Sequence, residues 1–123
     1  MADVVTNVGR AHIAGLLSNT VAEPTNYYIA WGTGAGTAGV GDTTLFTEVD
    51  SRVAATTTRV TTTVSNDTSQ NVATLTASAS RNITNAGVWT ASSGGTLIQK
   101  SDHATVPLLT NDSIQYTFKI QVV

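Results

Sequence analysis

The sequence predicts an all-β fold, an antiparallel sandwich or barrel preceded by an N-terminal arm or short helix. Three observations carry this. The last stretch, Ser113–Val123, alternates without a break: Ile114, Tyr116, Phe118, Ile120 and Val122 fall on one side, Ser113, Gln115, Thr117, Lys119 and Gln121 on the other. Successive strand side chains point to opposite faces, so this pattern marks a strand with one buried face. Short β-branched runs also recur along the chain with Gly, Asn and Ser clusters between them, as in sandwiches and barrels. Finally, charged residues make up only 11% of the chain, against roughly 25% in an average soluble domain. Thr, Ser, Asn and Gly stand where Lys and Glu usually do. That composition suits strands, and it suits surfaces that end up against other protein copies.

At 123 residues the chain is one domain, able to bury roughly two-thirds of its unfolded surface. The reading divides it into an arm or short helix over residues 1–19 and a β domain over 20–123. Val4–Leu17 is the one segment with helical spacing, through Val5, Val8, His12, Ile13, Leu16 and Leu17. Gly9 and Gly15 weaken a helix there by about 1 kcal/mol each, so an extended arm across a neighbouring subunit is the alternative. Ser18–Asn26 is a turn. Tyr27–Trp31 is a short strand, and Gly32–Gly41 a flexible glycine-rich loop. Asp42–Val49 reads as a short helical turn capped by Asp42, with Leu45 and Phe46 facing in.

From Arg52 onward the reading is strand. Arg52–Val64 is a long Thr-rich strand, turned at Asn66–Gln70 into Val72–Ala79, where Ala73, Leu75, Ala77 and Ala79 share a face. Ile83–Lys100 forms a hairpin through Ser92-Ser93-Gly94-Gly95, since Gly reaches the positive φ that tight turns need. Trp89 should share a face with Ile83, Gly87 and Ala91 and form the packing centre with Leu97. Ala104–Leu108 is a short strand kept at an edge by Pro107. The alternating terminal strand is expected in the middle of a sheet. Its Ile114, Tyr116, Phe118 and Ile120, with Trp89 and Leu97, are the candidate core.

The chemistry-bearing residues exclude more than they assign. Gly34-Ala-Gly36-Thr-Ala-Gly39 matches a dinucleotide-binding spacing, but no amphipathic helix follows and the surrounding pattern is antiparallel, so a surface loop is the better reading. His12 and His103 are the only histidines. Asp102 precedes His103, yet strand neighbours face opposite ways, so the pair does not meet. The eight carboxylates are scattered, and no zinc-ligand spacing appears. Asn66, Asn82 and Asn111 open glycosylation tripeptides of the kind chance supplies in a Thr-rich chain. The six Lys and Arg, with a net charge of −2, are dispersed, which excludes a counterion-displacing nucleic-acid surface. No apolar run approaches a membrane span, and the start lacks a secretory pattern. The chain is expected to be a non-enzyme without cofactor, made in a cytoplasm. Trp31, Tyr27 and Tyr28 make a possible sugar-stacking platform, although such aromatics more often fill cores.

Asn85-Ala-Gly-Val-Trp89, Gly94-Gly95-Thr-Leu97 and Asn111-Asp-Ser-Ile114, together with Trp31-Gly-Thr-Gly and Thr43-Thr-Leu45, resemble a class of tailed-bacteriophage virion proteins over Tyr27–Val123. Asn85 departs from that pattern, which usually has an acid there, and Asn111 stands where Gly is common. The resemblance implies a jelly-roll-like sandwich that assembles as a homotrimer. It implies either a capsid decoration (cement) protein bound to the major capsid protein between capsomers on the virion surface, or a tail-fibre or baseplate part with receptor or glycan binding. A compact chain without fibre repeats favours the cement role. The candidate capsid or subunit contacts are then Val4, Val5, Val8, Arg10, His12 and Ile13 of the arm and Gly34, Gly36 and Gly39 of the loop. Deleting Met1–Asn19 is expected to weaken attachment and leave the sandwich folded.

Overall fold

A computed structural model describes residues 2–123. Its elements are β1 (Ala2–Val5), α1 (Asn7–Leu17), β2 (Tyr28–Gly32), β3 (Glu48–Ala54), β4 (Thr56–Val60), β5 (Thr68–Thr76), β6 (Arg81–Trp89), β7 (Leu97–Leu108) and β8 (Ser113–Gln121). They form a five-stranded sheet in the order β1-β7-β6-β2-β3 and a three-stranded sheet in the order β4-β5-β8. All pairings are antiparallel, and the two sheets pack as a sandwich. The fold is therefore the antiparallel β-sandwich that the alternating runs predicted.

The core lies between the sheets. Ile29, Trp31, Ile83, Ala86, Val88 and Ile98 of the large sheet meet Ala73, Leu75 and Phe118 of the small one, and Ile114, Tyr116 and Ile120 pack against them. A second cluster of Ala30, Leu45, Trp89 and Leu97 sits apart from it, with Tyr28 alongside. Neighbouring residues of β2, β6 and β7 divide between the two clusters, so the second lies on the outer face of the large sheet. The six candidate core residues are thus all packed, but Trp89 and Leu97 belong to the outer cluster. Trp31 is the tryptophan of the sandwich interior. Pairing of β6 with β7 shifts between Ile83 and Asn85. That bulge changes the parity, placing Ile83 in the main core while Trp89 packs outside, so the shared face expected for Ile83, Gly87 and Trp89 does not form.

Several other expectations are corrected. The Thr-rich run is not one strand: buried Ala55 separates β3 in one sheet from β4 in the other. The Ala55 amide donates to the Tyr27 carbonyl at 2.8 Å, anchoring the crossing point. β4 and β5 do form the expected hairpin, paired from Thr56–Val72 to Val60–Thr68, but its connection runs over 61–67, and Thr68–Gln70 of the expected turn belong to β5. β8 is an edge strand with β5 as its one neighbour, not a central one, because alternation reports which face is buried and not how many neighbours a strand has. β7 runs through to Leu108 as a single strand. Beyond Asp102 it has no β1 partner, so Pro107 does sit on an edge. Asp42–Val49 holds no helix; Thr47 (φ 51°) within it and Asp50 (φ 62°) just beyond it take left-handed conformations instead.

The N-terminal segment is both strand and helix, and it packs on its own domain. β1 pairs with β7 from Ala2–Asp102 to Val5–Gln99. Thr6 is fully buried and caps α1: its Oγ1 accepts the Gly9 amide at 2.9 Å and donates to the Leu97 carbonyl at 2.5 Å. Gly9 is required here, since a Cβ would collide with the Ile98 backbone. Residues 2–19 are therefore part of the folded unit, and truncation at Asn19 strips an edge strand and uncovers β7. The expected indifference of the sandwich to that deletion does not follow.

Candidate functional site

The expected contact residues fall into two groups. Val4 and Val5 are half-buried in β1, and Ile13 is half-buried in α1. Val8 and Arg10 are exposed on the helix. His12 is buried, its Nε2 3.1 Å from the Tyr27 hydroxyl, and burial lowers its pKa below the ordinary 6.5. The helix thus leaves Val8 and Arg10 exposed and keeps His12 for its own domain.

The glycine-rich loop is not the free loop the composition implied. Thr33 and Gly34 donate to the Thr47 and Phe46 carbonyls, both at 3.0 Å. Gly34 and Gly36 lie against Phe46, where a side chain would collide. Gly39 donates to Asp42 Oδ2 at 3.0 Å. The loop is drawn over the outer face of the large sheet by two buried polar groups. Asn85 accepts the Phe46 amide through Oδ1 and donates to the Phe46 carbonyl through Nδ2, both at 3.0 Å. Lys100, fully buried, donates to Asp42 Oδ2 at 3.0 Å and the Thr44 carbonyl at 2.8 Å. Its ammonium lies 3.3 Å from the centre of the Phe46 ring. The Gly39 amide and then Lys100 hold the Asp42 carboxyl below its ordinary range. Sequence spacing gave no signal for this latch, because Lys100 and Asp42 are 58 residues apart.

The aromatic platform does not assemble. Trp31 is 0% exposed and faces the sandwich core. Tyr27 packs against that core and Tyr28 against the outer cluster. Trp31 Nε1 donates to Asp50 Oδ2 at 2.9 Å. Asp50 sits in an irregularity where three β3 residues oppose one of β2, and its carboxylate also receives the Ser78 hydroxyl and Arg81. Burial would raise the Asp50 pKa, but the bonds from Ser78, Trp31 and Arg81 outweigh it and the net shift is downward. A cleft of about 390 Å³ opens beside this group between β3 and β5.

The other histidine is likewise tied to a tyrosine. His103 Nε2 is 2.8 Å from the Tyr116 hydroxyl. Asp102 turns the other way, accepting the Ala38 amide at 2.8 Å, so the two do not meet. Among the described residues no group of three or more His, Cys, Asp and Glu is placed to hold a metal, and no helix is long and apolar enough to cross a membrane.

What remains open to a partner is the outer face of the small sheet and the edges of both sheets. With Ala73, Leu75 and Phe118 turned inward, the outer face carries Thr56 and Thr58 of β4, Gln70, Val72, Thr74 and Thr76 of β5, and Ser113, Gln115, Thr117 and Lys119 of β8. Lys119 is the single charge in that set. The alternation of Ser113–Val123 placed the β8 residues away from the core, but Thr56 and Thr58 were not read as solvent-facing, Gln70 was read as part of a turn, and the set was not brought together as one surface. No protein-family model matches the chain, and no curated protein or solved structure matches it significantly.

Proposed function

We propose that the chain is a bacteriophage capsid decoration protein that binds the major capsid protein on the outer shell between capsomers and stabilises it as a homo-oligomer. The observation that carries this reading is the outer face of the small sheet. It is a continuous array of Thr, Gln and Ser with Val72 among them and Lys119 as its single charge, on three hydrogen-bonded strands. Charge depletion is the compositional mark of a surface covered by another protein. The mechanism is clamping: bound copies add buried area across a capsomer junction, and a ligand that binds only the assembled shell shifts the equilibrium toward it by mass action. The exposed Val8 and Arg10 of α1 add a second contact.

The tail-fibre or glycan-binding alternative loses its platform, since Trp31 is enclosed. The test is co-sedimentation with undecorated capsids. Wild-type protein is expected to pellet with the shells. Thr74→Glu, which places a charge at the centre of the outer face without touching the core, is expected to bind at least tenfold more weakly, about 1.4 kcal/mol. Equal binding by this variant would remove the outer face from the interface, and absence of wild-type binding would reject the decoration role.

A further inference from the structure

An edge strand presents unpaired N–H and C=O groups that another strand can pair with, and proteins ordinarily blunt such edges. Four of the open edges in this sandwich are blunted. β1 is four residues long and β4 five, with Arg59 in it. β3 carries the irregularity at Asp50 and the charges of Glu48 and Arg52. The uncovered half of β7 contains Pro107. β8 differs: it has nine residues, no Pro or Gly, an unbroken register with β5, and Lys119 as its one charge.

The direction of its backbone groups follows from the ladder. Val122 donates to the Asp67 carbonyl at 2.9 Å and Ala77 to the Asp112 carbonyl at 2.8 Å, both on the register that pairs β5 with β8. Antiparallel pairs alternate between bonded and non-bonded, so the even-numbered residues of β8 bond to β5. Ser113, Gln115, Thr117, Lys119 and Gln121 therefore aim their N–H and C=O away from it. Gln99 meets one of these groups, donating to the Lys119 carbonyl at 3.0 Å, and a carbonyl oxygen can accept a second bond.

We propose that this edge pairs antiparallel with β8 of a second copy of the chain, about a two-fold axis at Thr117. Centring there sets Thr117 against itself, Gln115 against Lys119 and Ser113 against Gln121, which engages every outward-aimed backbone group. Lys119 then faces a neutral amide. Centring on Lys119 would oppose like charges, and centring on Gln115 would leave Lys119 and Gln121 unpaired. On the inner side Tyr116 comes opposite Phe118, an aromatic cross-strand pair of the stabilising kind. The two small sheets become one sheet spanning both copies. The inference does not depend on the capsid reading and is tested on the isolated protein.

The experiment is light scattering on wild type, Thr117→Pro and Thr117→Lys. Proline at 117 removes an N–H that β5 does not use; lysine keeps the N–H and opposes two charges at the axis. Wild type is expected at twice the chain mass, and both variants at the chain mass with unchanged circular dichroism. If the proline variant loses its fold, the lysine variant decides alone. Thr117→Cys is expected to oxidise to a covalent dimer, since a bonded pair sets Cα atoms about 5.5 Å apart and the chain has no other cysteine. A wild-type monomer, a trimer of the kind the family resemblance implies, or a dimer that survives Thr117→Lys would overturn the proposal.

Discussion

The two faces of the five-stranded sheet each bury a tryptophan, and they do so by different means. On the inner face Trp31 packs between two sheets, among side chains brought from both, with its indole N–H on Asp50. On the outer face Trp89 has no second sheet. It is 5% exposed, covered by Leu45 and by Arg52, whose guanidinium stands 3.8 Å over the ring. Arg52 is held in turn by Glu48 at 2.9 Å and by the Ala91 and Gly94 carbonyls at 2.9 and 2.7 Å. The Trp89 indole nitrogen has no hydrogen-bond partner. The inner face is fixed by apolar packing, the outer one by a loop fastened through a few polar groups. Polar fastenings at precise positions are sensitive to single substitutions even where little apolar area is at stake.

The largest effect should come from the inner face. Trp31→Ala is expected to destabilise by about 3–5 kcal/mol, the range for a large aromatic lost from a core, measured by denaturant unfolding. Trp89→Ala should fall at the low end, about 3 kcal/mol, because its cover can settle and its indole nitrogen forfeits no bond. If Trp89→Ala proved the costlier of the two, the inner and outer roles would be reversed.

Lys100→Met keeps the stem but strands Asp42 and the Thr44 carbonyl. Its expected cost is about 1–3 kcal/mol, with faster amide exchange in residues 33–47 and little change in β5 or β8. Uniform loosening across both sheets would show that Lys100 holds more than the loop. Asn85→Asp should cost a similar amount, about 1–3 kcal/mol. A carboxylate cannot donate to the Phe46 carbonyl that Asn85 now satisfies. The smallest change is Glu48→Gln, less than about 1 kcal/mol, because Glu48 is the exposed member of the pair and Arg52 keeps its bonds to the Ala91 and Gly94 carbonyls.

Acid should separate the regions in order. His12 has a folded pKa below 6.5, so the unfolded chain takes up its proton first. Stability therefore declines as pH falls below about 6.5, beginning at α1. Asp42 and Asp50 have folded values below 3.8. Their contribution is intact above that value and is lost as pH falls through the lower folded values, releasing the loop at Asp42 and loosening the Trp31 and Arg81 contacts at Asp50. Tyr27 and loop resonances followed by NMR against pH would show the two stages. A single transition near pH 4 would remove His12 from the account.

Much of the fold was legible because it depends on local pattern. The alternation of Ser113–Gln121 and the Ala73-Leu75-Ala77 face follow from the two-residue period of a strand, and the turn glycines Gly94 and Gly95 (φ 65° and 74°) from the positive φ of a tight turn. What was illegible depends on partners distant in sequence. Nothing around Ala55 distinguishes a strand that continues from one that changes sheets. The bulge between Ile83 and Asn85 inverts the facing of Trp89 without any Gly or Pro to announce it. Burial of Lys100 rests on Asp42 and Phe46, and no periodicity expresses that. Of the residues expected as contacts, Val8 and Arg10 are exposed, whereas His12 and the loop glycines serve the domain itself.

The most direct test of the decoration role is where the protein sits in the assembled particle. Cryo-electron microscopy of virions, with antibody labelling against the chain, should show sandwich-sized density on the shell over capsomer junctions, with the outer face of β4-β5-β8 turned toward the capsid. Density confined to the tail or baseplate would contradict it.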